Sequence, residues 1–209
     1  MLSRHLVHGL TVAVAAWFVV FGPSQASAQS DYYREDRRAF VVYGHVGAFG
    51  PLTHLDYNDD VQFKIGFSAG GGAAYRIDRH LAVRSTLTFI RAELDDTGFV
   101  RSPLAGGKYN RYVFDADLQF RYPIRDGMTP YVFLGGGTLT VQRDTVRERA
   151  SFTKGALKVG GGMSYQVPHT DVGLYLQGTG WIYEWDRYGF DGMQFDTTLT
   201  AGIAYRFRL

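Results

Sequence analysis

The sequence contains no cysteine. Exported domains in oxidising spaces often rely on disulfides, so this chain is held together by other means. No segment beyond the first thirty or so residues carries 18 consecutive apolar side chains, which excludes membrane-spanning helices. Excess charge of either sign is missing too. With 22 Lys+Arg and 20 Asp+Glu, the basic patch or stripe that a nucleic-acid partner requires is not provided. What the chain has in quantity is 26 glycines, 14 tyrosines and 15 phenylalanines. That mixture is typical of neither helices nor disordered segments.

The N-terminus reads as an export signal. Arg4 and His5 form a short basic start, residues 10–21 an apolar run, Gly22-Pro23 a break, and Ala26-Ser27-Ala28 a small-x-small site. This order predicts a secretory signal peptide over residues 1–28, cleaved after Ala28. The apolar run is too short for a spanning helix of roughly 20 residues. A short lead (29–37) and a single domain (38–209) follow. Removing Arg4 leaves 21 basic against 20 acidic residues, a mature charge of +1.

Alternation of period two dominates that domain. Val61, Phe63, Ile65, Phe67, Ala69, Gly71, Ala73 and Tyr75 alternate with Gln62, Lys64, Gly66, Ser68, Gly70, Gly72, Ala74 and Arg76. Such a pattern places the two sets on opposite faces of one strand. Further strands follow at 81–89, 111–122, 154–167 and 194–209, with less sharp ones at 38–50, 130–143 and 172–186. In the last of these, Val172, Leu174 and Leu176 give way to Trp181, Tyr183 and Trp185. The change of parity predicts a bulge near Gly178 or Gly180. Eight strands result, joined alternately by short turn-rich connections and mostly longer polar ones. That alternation is expected of outer-membrane barrels, with short periplasmic turns and longer extracellular loops.

A soluble β-domain shares the period but not the strand length. Soluble strands usually run about five or six residues, whereas a tilted strand crosses the hydrocarbon in about 9–11. The apolar face ends in Tyr75, Tyr112, Tyr122, Tyr131, Tyr165, Tyr205 and Phe207, the aromatic girdle expected at the headgroups. The polar face mixes small residues with Lys64, Arg76, Arg84, Arg111, Asp115, Asp117, Arg121, Lys154, Lys158 and Arg206. A small barrel has an interior just wide enough for side chains, and both charge signs are needed there because buried charges require partners. The expected fold is therefore all-β: an eight-stranded, antiparallel, up-and-down transmembrane barrel.

The chain resembles the small outer-membrane β-barrel proteins of the OmpA, OmpX and OmpW type over nearly all of residues 38–209. The likeness rests on the Gly-rich strands 68–75, 130–137 and 159–165 and on the final strand. It implies an outer-membrane location, lipid and lipopolysaccharide as surroundings, and insertion by the barrel-assembly machinery. Thr200, Gly202, Tyr205 and Phe207 match the terminal assembly signal of that family, although the chain continues with Arg208-Leu209 where the family typically stops on an aromatic. The resemblance also allows a narrow conduit for small or hydrophobic solutes, as in OmpW-like members.

Sharper chemistry is thinly supported. The Gly-Gly-Gly runs lack the helix and lysine of a phosphate loop. Residues 56–60 are oxygen-rich but lack the glycine and distal glutamate of a calcium loop. Some outer-membrane barrels modify lipid A, yet His45, His54, His80 and His169 form no Ser–His–acid arrangement in the sequence. Arg143, Arg147, Arg149 and Lys154 cluster around the third outer loop, where cations could hold lipid A phosphates. The expected role is non-enzymatic, without cofactor or metal: structural, or surface interaction through outer loops, with a salt-bridged interior. No particular extracellular ligand is indicated.

Overall fold

The computed structural model describes residues 38–53, 62–95, 108–124, 127–144, 149–185 and 192–208. The signal peptide and its cleavage site, the N-terminal lead, the oxygen-rich segment 56–60 and Leu209 lie outside these. The strands are β1 (Ala39–Pro51), β2 (Gln62–Phe63), β3 (Gly66–Arg76), β4 (Leu81–Asp95), β5 (Lys108–Arg121), β6 (Met128–Asp144), β7 (Arg149–Gln166), β8 (Val172–Trp185) and β9 (Gly192–Arg208).

Each long strand pairs antiparallel with its neighbours in sequence, and β1 pairs with β9. The sheet therefore closes on itself as an eight-stranded up-and-down barrel, with β2 as a short outer continuation of β3 paired to β4. Closure satisfies every ladder edge, which a sheet in hydrocarbon requires. The start of β1, the end of β9 and the described residues of the connections 77–80, 122–124 and 167–171 share one rim, here called the terminal rim.

The short turn at that rim is locally fixed. Asp78 Oδ1 accepts the backbone N–H groups of His80 (2.6 Å) and Leu81 (2.8 Å), a side chain standing in for turn backbone. These two bonds, that from His80 foremost, hold the exposed Asp78 carboxyl below its ordinary range. A carboxyl lowered on folding adds stability above its unfolded value and loses it as pH falls through the folded one. Asp78→Ala is expected to lower the urea midpoint at pH 7 and to match the parent in strong acid. An equal deficit at both pH values would contradict the assignment.

Two sequence expectations are corrected by register. Phe63 pairs with Leu94 and Phe67 with Arg91, so three residues on one strand face two on the other. This is a one-residue bulge at Lys64–Ile65, and it reverses the faces. Phe63 is buried inside the barrel, whereas Ile65 and Phe67 are exposed outside. Lys64, expected in the interior, is exposed at the bulge. The bulge expected near Gly178 or Gly180 is not there: β8 keeps one register with β7 and with β9 throughout. Its odd residues Gln177, Thr179, Trp181 and Tyr183 all face inward.

The parity change in β8 marks a change of environment. Toward the terminal rim the outside is apolar and the inside polar: Leu134 is 56% and Phe114 59% exposed, while Asp115 and Lys158 are 1% exposed. Toward the opposite rim the polarity inverts. Arg91, Glu93, Thr138, Gln142, Ser151, Thr153 and Glu184 face outward there. Inside lies an apolar cluster that includes Phe49, Phe63, Ile90, Tyr109, Val113, Leu139, Val141, Trp181 and Tyr183. A wall with an apolar outside suits lipid, and one with an apolar inside suits water. The strands thus run from a lipid-facing zone into a collar built like a small soluble barrel.

Candidate functional site: the barrel interior

Inward glycines give the interior its shape. Four inward rings each sit directly across the ladder from a glycine: Tyr43 from Gly72, Tyr131 from Gly162, Phe133 from Gly160 and Tyr175 from Gly202. A Cβ at any of these glycines would come within 3.0 Å of its ring. Gly135 and Gly137 act differently. They lie on β6 between Lys158 of β7 and the Asp117 and Asp115 of β5, and their missing side chains let the lysine reach across.

The resulting middle layer is an ion-pair network. Arg84 donates from Nε to Asp117 Oδ1 (2.8 Å) and from Nη2 to Oδ2 (3.0 Å), a bidentate fork. Its Nη1 donates to Gln177 Oε1 at 2.7 Å. Lys158 Nζ bonds Asp115 Oδ1 at 2.5 Å and Asp117 Oδ2 at 2.8 Å. Two cations and two carboxylates balance, as burial demands. The Phe133 ring lies 4.4 Å from the Arg84 guanidinium and 5.2 Å from Lys158 Nζ, adding cation–π attraction. Tyr43 OH donates to the Ser85 carbonyl at 3.1 Å and lies 2.7 Å from Thr86 Oγ1.

A second bond crosses higher up, within the collar. Arg111 donates from Nη1 to Asp196 Oδ2 and, at 3.1 Å, to Tyr183 OH. Tyr183 OH in turn donates to Asp196 Oδ2 at 2.5 Å. Phe63, delivered by the bulge, covers the guanidinium at 3.9 Å, with Phe49 at 4.8 Å. In the ring of eight strands β4 lies opposite β8, and β5 opposite β9. Arg84–Gln177 and Arg111–Asp196 therefore tie opposite walls together at two heights.

Of the other charges named from sequence, Arg121 is buried in the interior, and Arg76, Lys154 and Arg206 face inward with partial exposure. Lys154 thus points into the barrel instead of joining an outer loop. Arg206 Nη2 lies 3.7 Å from Asp171 Oδ1, to which Arg208 Nε donates at 3.0 Å. The side chains of Arg143, Arg147 and Arg149 lie outside the described residues. Tyr131, expected in the girdle, is 4% exposed inside the barrel. Tyr75, Tyr112, Tyr122, Tyr165, Tyr205 and Phe207 are exposed on the outside. On β9, Thr200 is buried inward and Gly202 faces inward beside the Tyr175 ring. His45 is buried with Nε2 3.5 Å from Thr88 Oγ1, and His80 Nδ1 lies 3.1 Å from the Arg121 carbonyl. Among the described residues no group of His, Asp and Glu could hold a metal.

Sequence reasoning missed Asp196, Tyr183, Gln177 and Phe133 as members of the network. For Asp196 a signal existed, since it shares the inward parity of Thr198 and Thr200. The aromatics carried none, because an inward ring has the same residue type as a lipid-facing one.

A closed antiparallel barrel, apolar outside and ion-paired inside, is a transmembrane β-barrel. The chain belongs to the outer membrane protein beta-barrel domain family, which it matches over residues 13–207, and its place is the bacterial outer membrane. Among solved structures it is similar to Neisserial surface protein A, with 17% identity and a TM-score of 0.56 over 81% of this chain and 97% of that one. It is also similar to the outer membrane protein OprG of Pseudomonas aeruginosa, with 12% identity and a TM-score of 0.58 over 83% and 98%. At such identities the likeness concerns the fold. No curated protein matches the sequence.

Proposed function

We propose that the protein is a filled, non-enzymatic barrel: a structural scaffold that acts through the segments at its outer rim and does not conduct solutes. One observation carries this reading, namely the pair of side-chain bonds, Arg84–Gln177 and Arg111–Asp196, that join opposite walls. The apolar collar cluster adds a second obstruction above the ion-pair layer. A solute passing through would have to break buried ion pairs and displace packed rings, both costly. Export by the 1–28 signal peptide, contact with lipopolysaccharide, and assembly through the signal at Thr200, Gly202, Tyr205 and Phe207 belong to the same proposal.

Planar-bilayer recording on the refolded protein tests it. The expected record is flat, without steady unitary steps. Steady channels of defined size would overturn the filled-barrel reading in favour of a narrow conduit.

A further inference from the structure

The outward side of the collar is polar on β4, β6 and β7, but over β3, β1 and β9 it stays apolar. Ile65, at the bulge leading into β3, is 83% exposed, Leu52 at the end of β1 51% and Met193 on β9 64%. Leu52 donates its N–H to the Phe195 carbonyl at 2.9 Å, which sets it beside Met193 and the outward Phe195. Between this group and Ile65 lies Gly50 of β1, paired with Thr197 and carrying no side chain.

This patch stands above the lipid. Met193 is the ladder partner of Glu184, and Ile65 lies beyond Phe67, the partner of Arg91. Arg91 and Glu184 are both exposed on the outside. Lipid rising over the patch would cover these charges as well, at a cost. An isolated barrel therefore shows the patch to water, and clustered apolar surface of that kind marks an interaction site.

The flanks identify the occupant. Around the ring the strands run β4-β3-β1-β9-β8, so β1 is the centre of the patch, with β4 and β8 equally distant. One flank carries Arg91 and the other Glu184, and neither has an ion-pair partner among the described residues. Two copies inserted in the same direction are related by a two-fold axis only if it is normal to the bilayer, and their contact is isologous. An axis beside β1 sets β4 of each copy against β8 of the other. The apolar patch then covers itself, and Arg91 and Glu184 meet at two places. Glu93, the next outward residue of β4, is one rung further from the lipid and lies across the ladder from Lys108.

We propose that the protein forms a two-fold dimer through the collar face of β3, β1 and β9, closed on both sides by Arg91–Glu184 pairs. The apolar centre supplies the attraction, and the flanking charges fix partner and register.

The chain has no cysteine, so single replacements report contacts cleanly. A Cβ at Gly50 meets only the Thr197 hydroxyl, at 3.8 Å, and the position lies beside the axis. Full-length Gly50→Cys, refolded into phosphatidylcholine vesicles, is expected to cross-link to its own copy on mild oxidation. Thr138→Cys, on β6 across the ring, should not. Arg91→Glu and Glu184→Arg each place like charges at both contacts. Each alone should associate at least tenfold more weakly, read by energy transfer between labelled copies. Mixed together they restore both pairs, so the two variants should associate with each other as the parent does. Heat-dependent gel migration checks each variant's fold. Absence of the Gly50→Cys cross-link would leave the patch to lipid and overturn the proposal. Equal cross-linking of Thr138→Cys, or a mixture no better associated than either charge variant alone, would overturn it too.

Discussion

Replacing Asp117 by alanine is expected to destabilise the barrel by about 3–5 kcal/mol, the usual consequence of leaving a buried charge without its partner. Asp117 accepts both arms of the Arg84 fork and one bond from Lys158, and its side chain is wholly buried. Without it, two cations share the single carboxylate of Asp115. Guanidinium or urea unfolding in detergent, scored by the shift between folded and heat-denatured gel bands, gives the number. A double variant separates stranded charge from lost packing. Arg84→Met with Asp117→Leu removes both members of the fork, and such replacements are often neutral or stabilising. The pair should therefore recover most of the loss. A double variant as weak as Asp117→Ala alone would refute the charge explanation.

Gly135→Val is expected to be comparably severe, by a different route. A Cβ there would sit 2.1 Å from the Ala116 carbonyl oxygen and 2.5 Å from Asp117 Cα. Overpacking of this kind costs about 1–3 kcal/mol through backbone shifts. The added methyls would also stand where Lys158 crosses β6 to reach Asp115 and Asp117. Separating that lysine from its carboxylates raises the total to at least about 3 kcal/mol. Gly155→Val provides the comparison, because nothing lies within 4 Å of a Cβ at that position. It should change the midpoint little. Similar losses at both positions would mean that generic strand glycine effects, and not the lysine path, decide the outcome.

Much of the wall was legible in the sequence, because a period of two is a direct consequence of strand geometry. The alternation around Tyr112 to Tyr122 placed Arg111, Asp115, Asp117 and Arg121 inward without reference to anything distant, and the structure has them there. Phe63 and Lys64 were placed wrongly because a bulge adds a residue without altering composition. Trp181 and Tyr183 were ambiguous for another reason. Periodicity tells that a strand has two faces, but polarity names the inside only once the solvent outside is known. Along β8 that solvent changes from lipid to water. The pairing of ions was not legible either, since Arg84 and Gln177 are 93 residues apart. Only the closed ring brings them face to face.

The inversion of polarity along the wall also sets where the barrel rides in its bilayer. Sinking by one rung would carry Arg91, Glu93 and Glu184 toward hydrocarbon, where an arginine costs up to about 2–4 kcal/mol at the midplane and far less near the interface. Rising by one rung would lift lipid-facing residues such as Leu134 and Leu157 toward water and forfeit their burial. Displacement is opposed both ways, and the opposing forces act on different strands around the ring. The protein is ballasted, like a float with a painted waterline. Whatever the outer segments touch, they meet it at a fixed height above the lipid.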